Sequence, residues 1–185
     1  MSRYPLVLAL ALASCATPPN VAVAGRVALD GATARFEQCG LSVRFAGAPR
    51  PLHANEAAHY TSALGRTKRN WQVDGLVYQS FAMAQTAICA CRDGEFSDAE
   101  IDKSEQAIAR SRDARPLPIA QRPFARRVLG VDAPYGRGSE YFADQALFVF
   151  PAVARSCTFI LGGKFGAVAA DGVKAFFATV EPIAK

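Results

Sequence analysis

The residues of this chain with the most defined chemistry are its five cysteines: Cys15, Cys39, Cys89, Cys91 and Cys157. A thiol can take a lipid, join a disulfide, ligate a soft metal or exchange with another thiol, and position selects among these. Cys15 follows an apolar run directly, whereas the other four are spread through the rest of the chain. Cys89-Ala90-Cys91 is the one close pair. Soft thiolates suit copper or zinc, which keeps open a thiol- or copper-handling role. A structural zinc site, however, usually needs C-x2-C pairs and two further ligands, and Cys39 and Cys157 each stand alone. No metal or cofactor is therefore expected.

The first residues identify the compartment. Met1 to Arg3 is a short positive start and Leu6 to Ala13 is a continuous apolar run. That run is far shorter than the roughly 20 residues a membrane-crossing helix requires, so it reads as the core of an export signal. Leu12-Ala13-Ser14-Cys15 resembles the lipobox of bacterial lipoproteins. The resemblance implies that residues 1–14 are a signal peptide, that the Cys15 sulfur carries diacylglycerol, and that the new amine is acylated as well. Several acyl chains, each buried methylene contributing about 0.8 kcal/mol, hold a protein to a membrane far more firmly than one chain does. By the same resemblance, Ala16 rather than an aspartate after the cysteine implies the outer membrane of a Gram-negative cell, with the domain facing the periplasm. The competing reading is cleavage after Ala24 at Ala22-Val23-Ala24, which would release a soluble periplasmic or secreted protein.

Either cleavage leaves four cysteines in an oxidising compartment, and that parity predicts two structural disulfides. Four cysteines allow three connectivities. Joining Cys89 to Cys91 would close a very small ring, so each is expected to pair with Cys39 or Cys157. Two alternatives remain at this point. Either would close long loops, for about 2–4 kcal/mol per bridge.

Other chemistry-bearing residues form no recognisable site. His53 and His59, with Glu56 between them, lack the H-E-x-x-H zinc spacing and read as surface residues. Ser139 follows Gly136-Arg137-Gly138 without the elbow of a serine hydrolase. Gly162-Gly163-Lys164-Phe165-Gly166 lacks the phosphate-loop spacing and reads as a turn that ends a strand. No catalytic residue is assigned. Two basic clusters lie beside aromatic residues: Arg66, Lys68 and Arg69 with Trp71, and Arg122, Arg126 and Arg127 with Phe124. They are candidate contacts for an anionic polymer, lipid headgroups or an acidic envelope protein; the plainer reading is a solvated face. Export removes nucleic acid from the list of partners.

These residues need a framework. The 185 residues are 51% hydrophobic and 20% charged, with 21 basic against 16 acidic residues, which excludes disordered, coiled-coil and collagen-like chains. Removing residues 1–14 takes away only Arg3 among the charges, leaving a side-chain charge of +4. After a tether over 15–25, residues 26–185 are expected to form one disulfide-stabilised domain. Arg26 to Leu29 can open a strand. Ala34 and Phe36, then Leu41, Val43 and Phe45, alternate with polar residues around Cys39-Gly40, the pattern of a hairpin with one buried face. Ala57 to Leu64 is a further candidate strand. Trp71 to Cys91 fits helix or strand, and its β-forming residues favour strand, which would put Cys89 and Cys91 on one face.

Ser97-Asp98-Ala99-Glu100 is a capping box and predicts a helix to about Arg112. Arg115 to Pro123 is a proline-rich connection. Phe124 to Val131, Tyr141 to Phe150 and Ser156 to Leu161 read as strands, and Gly172 to Val180 as a closing helix with Val173, Phe176, Phe177 and Val180 inward. The order predicts an α+β fold: a mainly antiparallel sheet with a mid-chain helix and a C-terminal helix packed on it. The stretch from Gly40 to Pro49, together with Ala175 to Val180, resembles exported PsbP-like domains at two short ends of the chain, which adds to the fold expectation and carries no activity.

The expectation for function is a lipid-anchored envelope protein acting as a binding or assembly module without catalysis. The alternatives are an envelope enzyme acting on cell wall or lipid, and the thiol- or copper-handling role of Cys89 and Cys91.

Overall fold

The computed structural model describes residues 27–53, 71–110, 115–117, 119–134, 140–152, 154–166 and 170–184. Cys15, the candidate strand Ala57 to Leu64, the cluster Arg66, Lys68 and Arg69, and Ser139 lie outside the described residues.

The predicted hairpin is present as β2 (Thr33–Phe36) and β3 (Leu41–Arg44), with β1 (Val27–Asp30) added at its edge. Phe36 lies opposite Leu41 and Ala34 opposite Val43, so the four apolar side chains share the buried face. The turn between them contains Gly40 at φ +66°, a left-handed conformation that costs a residue with a Cβ. The backbone N–H of Cys39 and of Gly40 donate to Phe36 O and Glu37 O, which closes that turn.

The ambiguous stretch is two strands, β5 (Gln72–Gln79) and β6 (Met83–Asp93), joined by a tight turn. They belong to an antiparallel sheet of seven strands in the order β4-β5-β6-β10-β9-β8-β7. The remaining members are β4 (Arg50–Pro51), β7 (Arg115–Pro116), β8 (Arg127–Pro134), β9 (Glu140–Ala152) and β10 (Arg155–Gly166). The smaller sheet, in the order β1-β2-β3-β11, ends on β11 (Glu181–Pro182), which follows the closing helix and pairs with β3. The α+β reading holds, with helices α1 (Asp98–Arg110) and α2 (Ala170–Ala178) at the mid-chain and C-terminal positions.

The two faces of the large sheet bury different partners. Cys89 and Cys91 of β6, Cys157, Phe159 and Leu161 of β10, and Leu147 and Val149 of β9 cluster with the small sheet and with Val173, Phe176 and Phe177 of α2. The alternate residues Phe148 and Ala146 of β9 meet Phe96 and Ile101 at the start of α1. Ile88 and Ala90 of β6 join Leu52, Val73 and Val77. Alternation on central strands thus places apolar residues on both sides, as a sheet covered on both faces requires.

Three readings of local structure are corrected. Gly162-Gly163-Lys164-Phe165-Gly166 does not end the strand: β10 continues to Gly166, because β6 and β9 pair with it on both sides and supply ladder bonds that need no side chain. The strand expected from Phe124 begins only at Arg127. Before it the chain turns, with Ala125 N–H donating to Arg122 O, and Gln121 bonds through its side-chain amide to both the N–H and the carbonyl of Val128. The proline-rich connection contributes a two-residue strand at one edge of the large sheet, as does the segment between β3 and β5 at the other. β4, β7 and β11 each contain a proline, a residue tolerated at sheet edges because it offers no N–H to a ladder.

Candidate functional site: the cysteine cluster and the arginine–aromatic seam

Cys89 and Cys91 are two residues apart on β6 and so point to the same side of the sheet. Cys157 lies directly opposite Cys91 on β10, and Cys39 is delivered to the same place by the β2–β3 turn. The structure joins Cys39 to Cys89 and Cys91 to Cys157, with Cα–Cα separations of 6.1 and 4.1 Å. All four side chains are buried, and all four Sγ atoms lie within 4.8 Å of one another. Between the bridges, Cys91 Sγ is 3.5 Å from Cys89 Sγ and 3.9 Å from Cys39 Sγ. The two bridges are therefore one packed unit that ties the small sheet to β6 and β6 to β10.

If reduced, four sulfurs this close have the reach of a tetrathiolate metal site, so the cluster is the set among the described residues that could hold a soft cation. Its surroundings favour neutral sulfur. The Gln38 carbonyl oxygen lies 3.6 Å from Cys91 Sγ and 3.5 Å from Cys157 Sγ, with its negative end toward the atoms that would carry thiolate charge. Asp74, on β5 opposite Cys89, is also buried and accepts a hydrogen bond from Gln38 Nε2. Burial among acceptors penalises thiolates and leaves disulfides unaffected. Cys89 and Cys91, each bonded to a different distant cysteine, do not form the free pair that a thiol- or copper-handling role needs.

A polar network closes this end of the cluster. Arg155 Nη2 donates to Gln38 Oε1 at 3.0 Å and to Gln72 Oε1 at 2.9 Å. Gln38 thereby links β5 and β10 through side chains while its own backbone faces the disulfides.

The second site lies on the opposite face, where the sequence separates Trp71 from Arg126 and Arg127 by more than fifty residues. Here they border one aromatic seam. Phe96 sits 5.7 Å from Trp71 and 5.6 Å from Phe148 between ring centroids, with Phe150 at 6.5 Å. The Arg92 guanidinium stacks over Phe96 at 4.5 Å and lies 5.8 Å from Trp71, while that of Arg126 lies 5.3 Å from Phe150. Such cation–ring contacts contribute about 0.5–1 kcal/mol each at partly exposed sites.

The capping box at the start of α1 locks the seam. Glu100 N–H donates to Ser97 Oγ at 3.2 Å, and Ser97 N–H donates to Glu100 Oε2 at 3.0 Å. The same Glu100 carboxylate accepts both contacts from Arg92 Nη2, at 2.8 and 2.9 Å. Arg126 pairs with Asp98 at 3.0 Å and also donates to Phe96 O, and Arg127 pairs with Asp102. Arg122 donates to Phe177 O at the end of α2. The described members of the basic patch are thus engaged within the fold, docking α1 and α2 onto the sheet. Arg92 belongs to this constellation but was not read from sequence; its only signal is that it lies one residue beyond Cys91 and so faces away from the disulfides.

No protein-family model matches the chain, and no curated protein matches it. Among solved structures, one described as LpqN, involved in cell envelope biogenesis of Mycobacterium tuberculosis, is similar at 11% identity and a TM-score of 0.39, over 71% of this chain and 84% of that one. A likeness at this level carries no argument about function.

Proposed function

We propose that this protein is a lipoprotein of the cell envelope, cleaved before Cys15 and held by acyl chains at that residue on the outer membrane, with its domain facing the periplasm. The domain acts as a non-catalytic binding or assembly module for another envelope protein or an anionic polymer. The observation that carries the reading is the pairing of Cys39, Cys89, Cys91 and Cys157 into two buried bridges, which places four of the five cysteines in structural use and leaves Cys15 to the export signal. Disulfides of this kind belong to an oxidising compartment, the same destination that the Leu12-Ala13-Ser14-Cys15 motif implies.

The side of the domain offered to a partner is argued from the seam. Arg126 and Arg127 keep part of each side chain exposed beside α1, with their acidic partners also at the surface. An anionic partner can exchange with Asp98 and Asp102 there without uncovering the core. Changing Cys15 to Ser tests the anchor: the variant should lose its acyl mass and leave the membrane fraction, and retention of both mass and membrane association would overturn the reading. Crosslinking of the native, membrane-bound protein tests the binding role, with a specific envelope protein or polymer expected on wild type and weakened on Arg126→Glu. Turnover of cell-wall or lipid substrate by the purified protein would overturn the non-catalytic part.

A further inference from the structure

The turn between β5 and β6 carries an apolar tip. Phe81 is 107% exposed, so no other described part of the fold covers it, and Ala82 beside it is exposed as well. The turn is closed beneath them: Ser80 N–H donates to Met83 O at 2.8 Å, and Met83 N–H donates to Ser80 Oγ at 3.3 Å. The hairpin stem is braced by the segment that follows β3, because Ala46 N–H donates to Gln85 Oε1 at 2.7 Å and Gly47 packs on the Tyr78 ring. The backbone of this turn is already ordered, so presenting its apolar tip to an apolar medium costs little further backbone entropy. The last β10 residue paired with β6 is Phe165, opposite Met83, and β4 reaches β5 only at Leu76 and Val77. Cations stand on both flanks, with Arg50 opposite Val77 on one side and Lys164 opposite Ala84 on the other.

We propose that the Phe81 tip inserts into the lipid surface that holds the protein, with Arg50 and Lys164 facing its headgroups. The inference rests on the lipid anchor proposed above. Val27 lies twelve residue steps beyond Cys15, and a chain extends at most about 3.6 Å per residue, so the tether spans up to about 43 Å. The twelve residues of β10 span about 40 Å at 3.3–3.4 Å each. At full extension the tether thus matches the length of the sheet, a reach that lets either end of the domain meet the bilayer; the apolar tip selects which end does. An anchor makes this contact intramolecular, so one aromatic side chain suffices where it would not capture a free protein.

The test uses the full-length, exported protein with Phe81→Trp, reconstituted in vesicles of phosphatidylethanolamine and phosphatidylglycerol with or without brominated acyl chains. Intact mass is measured on the same sample, and wild type, which carries only Trp71, supplies the background. With Cys15 acylated, the emission of the new tryptophan should be blue-shifted and lost to bromine quenching. Acylated protein whose tip emission remains red and unquenched overturns the insertion while the anchor stands. Protein without acyl mass overturns the anchor and the insertion with it. Phe81→Ser, tested for protection of the tip against protease on the same vesicles, should lose that protection; protection equal to wild type also overturns the insertion.

Discussion

Reducing the two bridges should lower stability by an amount that follows from the loops they close. Cys39–Cys89 spans 50 residues and Cys91–Cys157 spans 66. In the chain-entropy account each removes about 4 kcal/mol of unfolded-state freedom at 25 °C. The bridges join consecutive cysteines, so the loops do not overlap and their entropies add to about 8 kcal/mol. That is comparable with the whole stability of an ordinary domain, roughly 5–15 kcal/mol. The assay is urea unfolding of the soluble Cys15→Ser protein, oxidised and in excess dithiol. Reduction keeps all four side chains in place, whereas Cys→Ala pairs also remove buried sulfur and should cost more. With a slope near 2 kcal/mol per molar, loss of both bridges moves the midpoint by about 4 M, enough to unfold the domain in buffer. The paired variants C39A/C89A and C91A/C157A should each move it by at least about 2 M. A shift below about 0.5 M on full reduction, equivalent to about 1 kcal/mol, would refute the account of the cluster as the fold's principal staple.

Other substitutions test particular contacts. Ser97→Ala removes the cap of α1 and should cost about 1 kcal/mol in urea unfolding. Gly130→Ala places a Cβ against the Ile119 side chain and 3.0 Å from the Leu117 carbonyl oxygen, so a loss of about 1–3 kcal/mol is expected from the same measurement. Phe159→Ala empties a site that is fully buried 5.0 Å from the Phe36 ring and should cost about 3–5 kcal/mol, read as a large fall in melting temperature. Asp102→Asn loosens only an exposed ion pair with Arg127 and should change stability by less than about 1 kcal/mol.

The parts of the fold legible in the sequence are those where one local rule decides the outcome. Ala34, Phe36, Leu41 and Val43 alternate because one face of that hairpin is buried, and Ser97 and Glu100 mark a helix start through bonds made within four residues. The same-face prediction for Cys89 and Cys91 needed only strand periodicity, whereas the choice between the two connectivities depends on β10 setting Cys157 opposite Cys91. What escaped depends on distant partners. Gly162 and Gly163 look like a break until strands on both sides pair with them. The two-residue strands at Arg50, Arg115 and Glu181 have no signal of their own, since each is defined by the strand it borders. The seam is harder still: Trp71, Arg92, Phe96, Arg126 and Phe150 meet through the order of β6, β10, β9 and β8, which composition does not encode.

The most direct test of the account is the intact mass of the mature protein extracted from membranes and alkylated without reductant. The account predicts a chain that begins at Cys15, carries acyl chains, lacks four hydrogens for two disulfides and takes up no alkylating agent until reduced. A mass corresponding to an unmodified chain beginning at Gly25, or alkylation of any of Cys39, Cys89, Cys91 and Cys157 before reduction, would contradict it.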